Sequence, residues 1–243
     1  MALSDYLQKK PVIDTNRLRI RPMCAADVSA LREWMPDKSI YTYWGKGPGK
    51  TDRNPELLFE KEEKSSKSFH LGIEEKSSAK VIGDIWVYLI EGNRMASVAI
   101  RLSQSCQGKG YGTEALSAMT DFCFLHTELQ RLWTKVDVRN IASQKMLEKC
   151  GYRQEGLIRQ GKMVNTWCDY YIYGKLNSDS KLYKALIPII RTGQRAHFYT
   201  GESPYVYSVR WNAPDTKMSG AFCVTMFRAR DCIPLAPRKQ LST

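Results

Sequence analysis

Up to residue 176, hydrophobic and polar positions follow two patterns that predict strands and helices. Short, β-prone apolar runs predict strands over 12–23, 69–74, 81–89, 96–102, 131–138, 154–159 and 167–175. Apolar residues at helical spacing predict helices over 25–35, 55–64, 111–126 and 140–150, the last one ending at Gly151. Because helices are interspersed among the strands, we expect a mixed α/β sheet.

From residue 177 onward the pattern changes. The polar run 177–180 favours turns and predicts a linker, which divides the chain into domains 1–176 and 177–243. Beyond it we expect a short helix over 181–191, interrupted at Pro188, and a β-hairpin formed by 205–211 and 221–227. From Asp179 to the end, ten Lys and Arg residues stand against four Asp and Glu, so this appendage is densely basic.

The formal net charge of +12 raises the question of a nucleic-acid partner. No continuous basic block occurs, so solvated surface charges and attraction to an anionic cofactor explain the net charge better than a nucleic-acid partner does. The hairpin does interleave aromatic residues with arginine, a pattern that suits single-stranded nucleic acid. Nucleic acid is therefore disfavoured as a partner.

Seven cysteines without Cys-x-x-Cys spacing and only three histidines predict reduced thiols, a cytoplasmic location and no metal site. No apolar run reaches the length of a membrane span, and the first residues do not have the pattern of a secretory signal. We therefore expect no membrane association.

A glycine-rich turn with the sequence QGKGYG, residues 107–112, lies between the strand 96–102 and the helix 111–126. Glycines let a backbone approach a ligand closely, and the unpaired N–H groups at a helix N-terminus attract phosphate oxygens. The spacing fits neither the dinucleotide fingerprint nor the P-loop, which needs Gly-Lys-Ser or Gly-Lys-Thr. The turn therefore predicts a phosphate-bearing cofactor of another kind.

The turn matches the pattern Q-x-x-G-x-G, and four further motifs accompany it: TNRLRIRP at 15–22, N-x-x-S at 140–143, EKCGY at 148–152 and WCD at 167–169. Together they resemble the GNAT superfamily of N-acetyltransferases, in the branch of the ribosomal-protein alanine and spermidine N-acetyltransferases. The resemblance covers about residues 12–176. It implies an acyl-CoA N-acyltransferase fold, here with a small appendage containing a β-hairpin, and acetyl-CoA (coenzyme A) as the co-substrate.

The resemblance also implies which residues hold the cofactor. In the family the strand before the glycine turn separates from its neighbour, so that its backbone can pair with the pantetheine arm, and the turn itself binds the pyrophosphate. The residues at these positions are Val98, Ala99, Ile100, Gln107, Gly108, Lys109, Gly110, Tyr111, Gly112 and Thr113, with Asn140 beside the arm. Asn140 also stands where a helix N-cap is expected.

Acetyl transfer needs an acid for the departing thiolate and a base for the amine. Many superfamily members use as acid a tyrosine whose position is occupied here by Leu147, so Ser143 becomes the candidate acid. Asp84 is the candidate base, with Glu155 and Asp169 as alternatives that no motif separates from it. Free cysteines such as Cys106 and Cys150 are better explained by packing than by a covalent acyl-enzyme.

The aromatic loop 41–49 and the segment after Arg159 are expected to line the acceptor side of the cleft, and the basic net charge fits poorly with a strongly cationic acceptor. A protein or peptide amine is our first choice. The alternatives are an aminoglycoside or polyamine, which the acidic patch Glu60, Glu62 and Glu63 would favour, and a non-catalytic acyl-CoA-binding module that presents the basic appendage to another partner. The appendage also leaves a homodimer open.

Overall fold

The computed structural model describes residues 2–62, 68–91 and 93–179, and beyond these the backbone of three strands within 196–228. The chain divides into two compact units, Met1–Asp179 and Ser180–Thr243.

The first unit contains short helices near its start and two longer ones in its second half. The α-helices are α1 Asp5–Gln8, α2 Val28–Trp34, α3 Lys50–Arg53, α4 Glu56–Glu62, α5 Tyr111–His126 and α6 Ile141–Lys149, and short 3-10 turns cover Ala25–Asp27, Lys38–Tyr41, Gln104–Cys106 and Asn177–Asp179. The strands are β1 Ile13–Asp14, β2 Leu18–Arg21, β3 Ser68–Glu75, β4 Lys80–Glu91, β5 Met95–Leu102, β6 Arg131–Asp137, β7 Arg153–Met163 and β8 Thr166–Leu176.

These strands form one eight-stranded mixed sheet with the order β1-β2-β3-β4-β5-β6-β8-β7. Neighbouring strands are antiparallel except β5 and β6, which are parallel and joined through α5. This mixed α/β sheet confirms the predicted fold class. Parallel strands end at the same edge of a sheet, so the segments that follow β5 and β6 meet there.

The two faces of the sheet are covered by different parts of the chain. On one face, α5 and α6 bury apolar side chains against β3 to β6, with Leu71, Ile85, Val98, Met119 and Leu147 all at most 3% exposed. On the other face, α2 and the segment after it form a second cluster that includes Leu31, Met35, Tyr41 and Val81. The segment after α2 thus lies on the face of the sheet opposite to α5.

The structure departs from the predicted elements in two places. The predicted single strand over 12–23 is wrong, because the chain turns at residues 15–17 and forms the hairpin of β1 and β2. Thr15 stabilises that turn, since its N–H donates to the Leu18 carbonyl (2.9 Å) and its Oγ1 accepts from the Leu18 N–H (2.9 Å). Short helices also interrupt 38–53, which the apolar pattern did not predict.

The second unit contains a three-stranded antiparallel sheet with the order β11-β10-β9, formed by β9 Ala196–Tyr199, β10 Tyr205–Asn212 and β11 Ala221–Arg228. Pairing of β10 with β11 confirms the predicted hairpin. The predicted helix over 181–191 lies outside the described residues.

Candidate active site

A cleft opens where β5 and β6 separate. The two strands pair only through Met95↔Arg131, Ala96↔Leu132 and Ser97↔Trp133, although both continue beyond these residues. On its other side β5 stays paired with β4, through Val98↔Val87, Ala99↔Trp86 and Ile100↔Ile85. The backbone groups of residues 98–102 that face β6 are therefore left without a strand partner. Such groups need hydrogen bonds, and an extended ligand can supply them.

The glycine turn lies at the open end of this cleft. Gly108 (φ +75°) and Gly110 (φ +81°) both adopt the left-handed conformation that glycine tolerates best. The backbone N–H groups of residues 108–113 donate to no described residue. Since α5 begins at Tyr111, these groups share the helix N-terminus, where negative charge is stabilised. We call residues 107–113 the cradle, because their geometry fits a pyrophosphate.

Side chains outside the cradle hold it in place. Arg17 donates from Nη1 to the Lys109 carbonyl (3.0 Å), pairs through Nε with Glu114 (2.7 Å) and lies 4.5 Å from the centre of the Tyr111 ring. Thr15 donates to the same Glu114 carboxylate at 2.6 Å. Burial raises the pKa of Glu114, but the hydrogen bonds from Thr15 and Arg17 outweigh it and the pKa is lowered overall. Sequence reasoning missed Arg17 and Glu114 because 97 residues separate them.

Gly112 and Cys150 hold the cradle against α6. A Cβ atom on Gly112 would lie 2.9 Å from Met146 Sδ and 3.4 Å from Leu102, so a larger residue there would push the Met146 side chain aside. The buried thiol of Cys150 donates to the Thr113 carbonyl (3.4 Å), and burial raises its pKa to about 12. Cys150 therefore stays protonated near neutral pH, as a packing residue would.

Asn140 and Ser143 lie at the same open end, directly after β6. Asn140 Oδ1 accepts from the Ser143 N–H (3.1 Å), so it caps α6. The Ser143 hydroxyl is half-buried and makes no hydrogen bond to any described residue. Leu147, one turn further on, is 1% exposed and packs in the core. The free hydroxyl of Ser143 is therefore available to a ligand in the cleft.

Asp84 has an environment that sequence reasoning did not anticipate. It has no exposed surface, and its two oxygens accept from Arg101 Nε (3.0 Å) and Nη2 (2.5 Å), while His70 Nε2 lies 2.9 Å from Oδ2. Burial by itself raises the pKa of Asp84. The charge and hydrogen bonds of Arg101 lower it by more, so the pKa of Asp84 is lowered overall. A buried carboxylate whose two oxygens both accept hydrogen bonds is poorly suited to take a proton from an acceptor. The role of Asp84 as base stays a prediction.

The two alternative carboxylates are also engaged. Glu155 pairs with both terminal nitrogens of Arg131, and this hydrogen bonding lowers its pKa. Asp169 accepts from the Gln160 N–H at 2.7 Å. Neither carboxylate is marked out as a base by its surroundings.

The part of the chain that the structure describes shows no group of three His, Cys, Asp or Glu side chains placed to hold a metal ion. Among its helices none combines the length and apolar character of a membrane-spanning segment.

By the resemblance described above, parallel strands that separate beside a glycine cradle are expected to bind acyl-CoA and to serve acyl transfer. The residues present fit this cofactor, since the free N–H groups of the cradle suit a pyrophosphate and the unpaired edge of β5 suits an extended amide-containing arm.

The chain belongs to the Acetyltransferase (GNAT) domain family, whose model matches residues 17–153, more than half of the sequence. It is 32% identical over 116 residues to a probable N-acetyltransferase, YjcK, of Bacillus subtilis, a match that covers 46% of this chain and 64% of that relative.

Two solved structures show the same fold. The spermidine N-acetyltransferase of Vibrio cholerae, in complex with CoA and spermine, has a TM-score of 0.59 and 21% identity and covers 68% of this chain and 98% of its own. The ribosomal-protein-S5-alanine acetyltransferase of Vibrio fischeri has a TM-score of 0.60 and 22% identity, with 71% and 100% covered. As a member of the GNAT family that is also similar to a named N-acetyltransferase, the protein is an acetyl-CoA-dependent N-acetyltransferase.

Proposed function

We propose that this enzyme transfers an acetyl group from acetyl-CoA to a primary amine of a protein or peptide. The observation that carries the proposal is the charge on the acceptor side of the sheet. Lys38, Lys46 and Lys50 are exposed there, whereas the carboxylates of Asp52 and Asp84 are buried against Arg101. Glu33, Asp37 and Glu56 are also exposed, but over residues 32–56 five exposed Lys and Arg side chains outnumber these three carboxylates, so a polyamine would meet net repulsion there.

Exposed apolar side chains favour the same acceptor class. Trp167 is 66% exposed and Val164 is 48% exposed, at the turn between β7 and β8. This turn touches the loop after α2, because Gly45 accepts there from Thr166. A peptide chain has apolar surface that it can bury against such side chains. A short polyamine has much less apolar surface.

The reaction that we propose is direct. The neutral amine attacks the carbonyl carbon of the thioester, the carbon–sulfur bond breaks, and the Ser143 hydroxyl protonates the departing sulfur. The proton that the amine nitrogen loses then returns through water to the Ser143 oxygen. An α-amino group has an unperturbed pKa of about 8, so a fraction of it is neutral near pH 7 and can attack. After the attack the nitrogen carries one proton too many, and this proton passes to water. In this proposal the cradle residues and Val98, Ala99 and Ile100 hold acetyl-CoA, with Asn140 beside the arm.

A polyamine is the second candidate, supported by the likeness to the Vibrio cholerae enzyme that was solved with spermine. The acidic residues that would favour such a substrate, Glu60, Glu62 and Glu63, have side chains outside the described residues. A non-catalytic acyl-CoA-binding module is the third candidate. A cytoplasmic location stays a prediction, as does a homodimer.

Release of free CoA thiol separates these candidates. The full chain is assayed with acetyl-CoA and three acceptors at equal concentration: a peptide with a free N-terminus, the same peptide with a blocked N-terminus and no lysine, and spermidine. We expect kcat/KM for the free peptide to exceed that for spermidine by at least about tenfold, which corresponds to about 1.4 kcal/mol, and no release with the blocked peptide. Faster release with spermidine refutes the peptide proposal, and CoA binding without release on any acceptor refutes the enzyme.

A further inference from the structure

Arg17 places a guanidinium group directly against the cradle. Its Nη1 donates to the Lys109 carbonyl at 3.0 Å, and a Cβ atom on Gly110 would lie 3.5 Å from its Nη2. Lys109 and Gly110 belong to the stretch of the cradle whose backbone N–H groups donate to no described residue. A positively charged side chain and several unpaired N–H groups therefore lie side by side.

The main chain of Arg17 is fixed by its own hydrogen bonds. Arg17 lies in the turn between β1 and β2, 92 residues before Lys109. Its N–H donates to Glu114 Oε1 at 2.9 Å, and its carbonyl accepts from the Lys76 N–H at 2.9 Å. The turn is thus attached both to α5 and to the segment that follows β3.

The guanidinium group of Arg17 is held in one orientation. Its Nε donates to Glu114 Oε2 at 2.7 Å, and its central carbon lies 4.5 Å from the centre of the Tyr111 ring. The Tyr111 hydroxyl in turn donates to Glu75, at the end of β3. A group that is ordered before a ligand arrives loses little conformational freedom when it binds that ligand. The orientation of Arg17 therefore favours binding.

Arg17 also keeps hydrogen-bond donors available. A guanidinium group has five N–H donors, and the hydrogen bonds of Arg17 to described residues use only the one on Nε and one on Nη1. Its side chain is 43% exposed, and Nη2 donates to no described residue. A planar group with adjacent free donors matches the oxygens of a phosphate. Arg17 can therefore bind an anion without giving up its contacts in the protein.

A purely structural role does not require the Arg17 side chain. Glu114 already joins α5 to the turn between β1 and β2, because its carboxylate accepts from Thr15 Oγ1 (2.6 Å) and from the Arg17 N–H. Neither bond involves the guanidinium group. What the side chain adds is a positive charge beside the unpaired N–H groups of the cradle.

We propose that Arg17 is a phosphate-binding residue of the acetyl-CoA site, which supplements the backbone N–H groups of the cradle with a cationic side chain from a distant turn. This inference rests on the proposed function, since it extends the cofactor site assigned there. The N–H groups and the helix N-terminus carry only partial positive charge, whereas Arg17 carries a full one. CoA has a pyrophosphate and a 3′-phosphate, and both have the chemistry that Arg17 recognises.

Arg17→Gln and Arg19→Gln form a matched pair that tests the proposal. Their side chains are 43% and 47% exposed and each substitution removes one positive charge, but Arg19 pairs with Asp14 of β1. In the full chain we expect calorimetry to show a Kd for CoA about 10- to 100-fold higher for Arg17→Gln, as for loss of a charge-assisted hydrogen bond. Arg19→Gln should stay within about twofold of wild type, and Arg17→Lys, which loses only the planar group, should fall between. Equal Kd values for Arg17→Gln and Arg19→Gln overturn the proposal.

Glu114→Gln separates phosphate binding from a merely structural tie. The amide keeps an oxygen that can accept from Thr15 and Arg17, but the negative charge opposite the guanidinium group is lost. If Arg17 binds phosphate, this variant binds CoA as tightly as wild type or more tightly. If Arg17 only ties the turn to α5, Glu114→Gln and Arg17→Gln raise the Kd for CoA alike, and the proposal is wrong. Thermal unfolding without CoA checks that each variant is folded.

Dephospho-CoA, which lacks the 3′-phosphate, identifies the phosphate that Arg17 binds. If the ratio of Kd values between Arg17→Gln and wild type is the same for both ligands, Arg17 binds the pyrophosphate. If the ratio falls to about one with dephospho-CoA, Arg17 binds the 3′-phosphate. Failure of the proposed function has a different result. Wild-type protein that binds neither ligand refutes the cofactor site itself, whereas wild-type binding that Arg17→Gln leaves unchanged refutes only the role of Arg17.

Discussion

The cradle makes a quantitative prediction for Gly108→Ala. Gly108 has φ +75°, and a Cβ atom there meets no atom within 4 Å in the protein. The substitution therefore creates no clash in the free enzyme, and its cost is that of holding alanine in the left-handed conformation, about 1 kcal/mol. For a chain of this size that free energy lowers Tm by about 2–4 °C.

The effect on cofactor binding is expected to be larger. The methyl group would occupy the open side of the turn, beside the N–H groups that donate to no described residue. Loss of one charge-assisted hydrogen bond to a phosphate costs about 1.5–3 kcal/mol, or about a 10- to 100-fold rise in the Kd for CoA. Titration calorimetry measures this Kd, and thermal unfolding without CoA measures the change in Tm.

Gly156→Ala is the matched control. Gly156 lies in β7, has no positive φ, and an added Cβ atom meets nothing within 4 Å, so neither Tm nor the Kd for CoA should change appreciably. If Gly108→Ala lowers Tm as expected but binds CoA as tightly as Gly156→Ala, the glycines only serve a tight turn. The assignment of the cradle to pyrophosphate would then be wrong.

Three further predictions concern the acid, the core and the buried carboxylate. Ser143→Ala should lower kcat by at least about 100-fold in single-turnover thiol release and leave the Kd for CoA unchanged, because Asn140 caps α6 through the backbone of residue 143. Leu147→Ala should lower the free energy of unfolding by about 2–5 kcal/mol in urea denaturation, because Leu147 is 1% exposed. Asp84→Asn should lower the free energy of unfolding at neutral pH, and its difference from wild type should shrink below about pH 4. The reason is that the pKa of Asp84 is lower in the folded than in the unfolded state. Its charge therefore stabilises the fold above the unfolded-state pKa, and this stabilisation is lost as the pH falls through the folded-state pKa.

Each of the three has an outcome that contradicts it. A kcat within about threefold of wild type for Ser143→Ala removes this serine as the acid. A change below about 1 kcal/mol for Leu147→Ala shows that the residue does not pack as described. A difference between Asp84→Asn and wild type that is independent of pH from 3 to 7 shows that the charge of Asp84 contributes nothing through Arg101.

Local sequence patterns predicted most elements of the first unit and the cradle, because these depend on interactions between near neighbours. The glycine turn leads into α5, which begins at Tyr111 and has Gly110 as its N-cap. Gly151 follows α6 with φ +77°, in the left-handed conformation expected after a helix. The strand predicted over 12–23 failed because the chain turns at residues 15–17, where Thr15 and Leu18 are joined by backbone and side-chain hydrogen bonds.

The Arg101 network was not predictable in the same way. Arg101 lies in an otherwise apolar strand, and its partners Asp84, Asp52 and Tyr41 lie 17, 49 and 60 residues away in the sequence. Only the register of β4 against β5 places Asp84 opposite Arg101. Asp84 was therefore singled out from sequence as a base, while its partner was overlooked.

The two sides of the cleft differ in the chemistry that builds them, and this explains why the donor was easier to predict than the acceptor. The cradle uses backbone N–H groups and glycine conformations, which leave a short and recognisable pattern. The other side of the cleft uses side chains, such as Trp44 and Arg101, whose positions depend on tertiary contacts over long sequence separations. Side chains can change without disturbing the cradle. Relatives with the same fold can therefore share a donor site and still acetylate acceptors as different as a polyamine and a ribosomal protein.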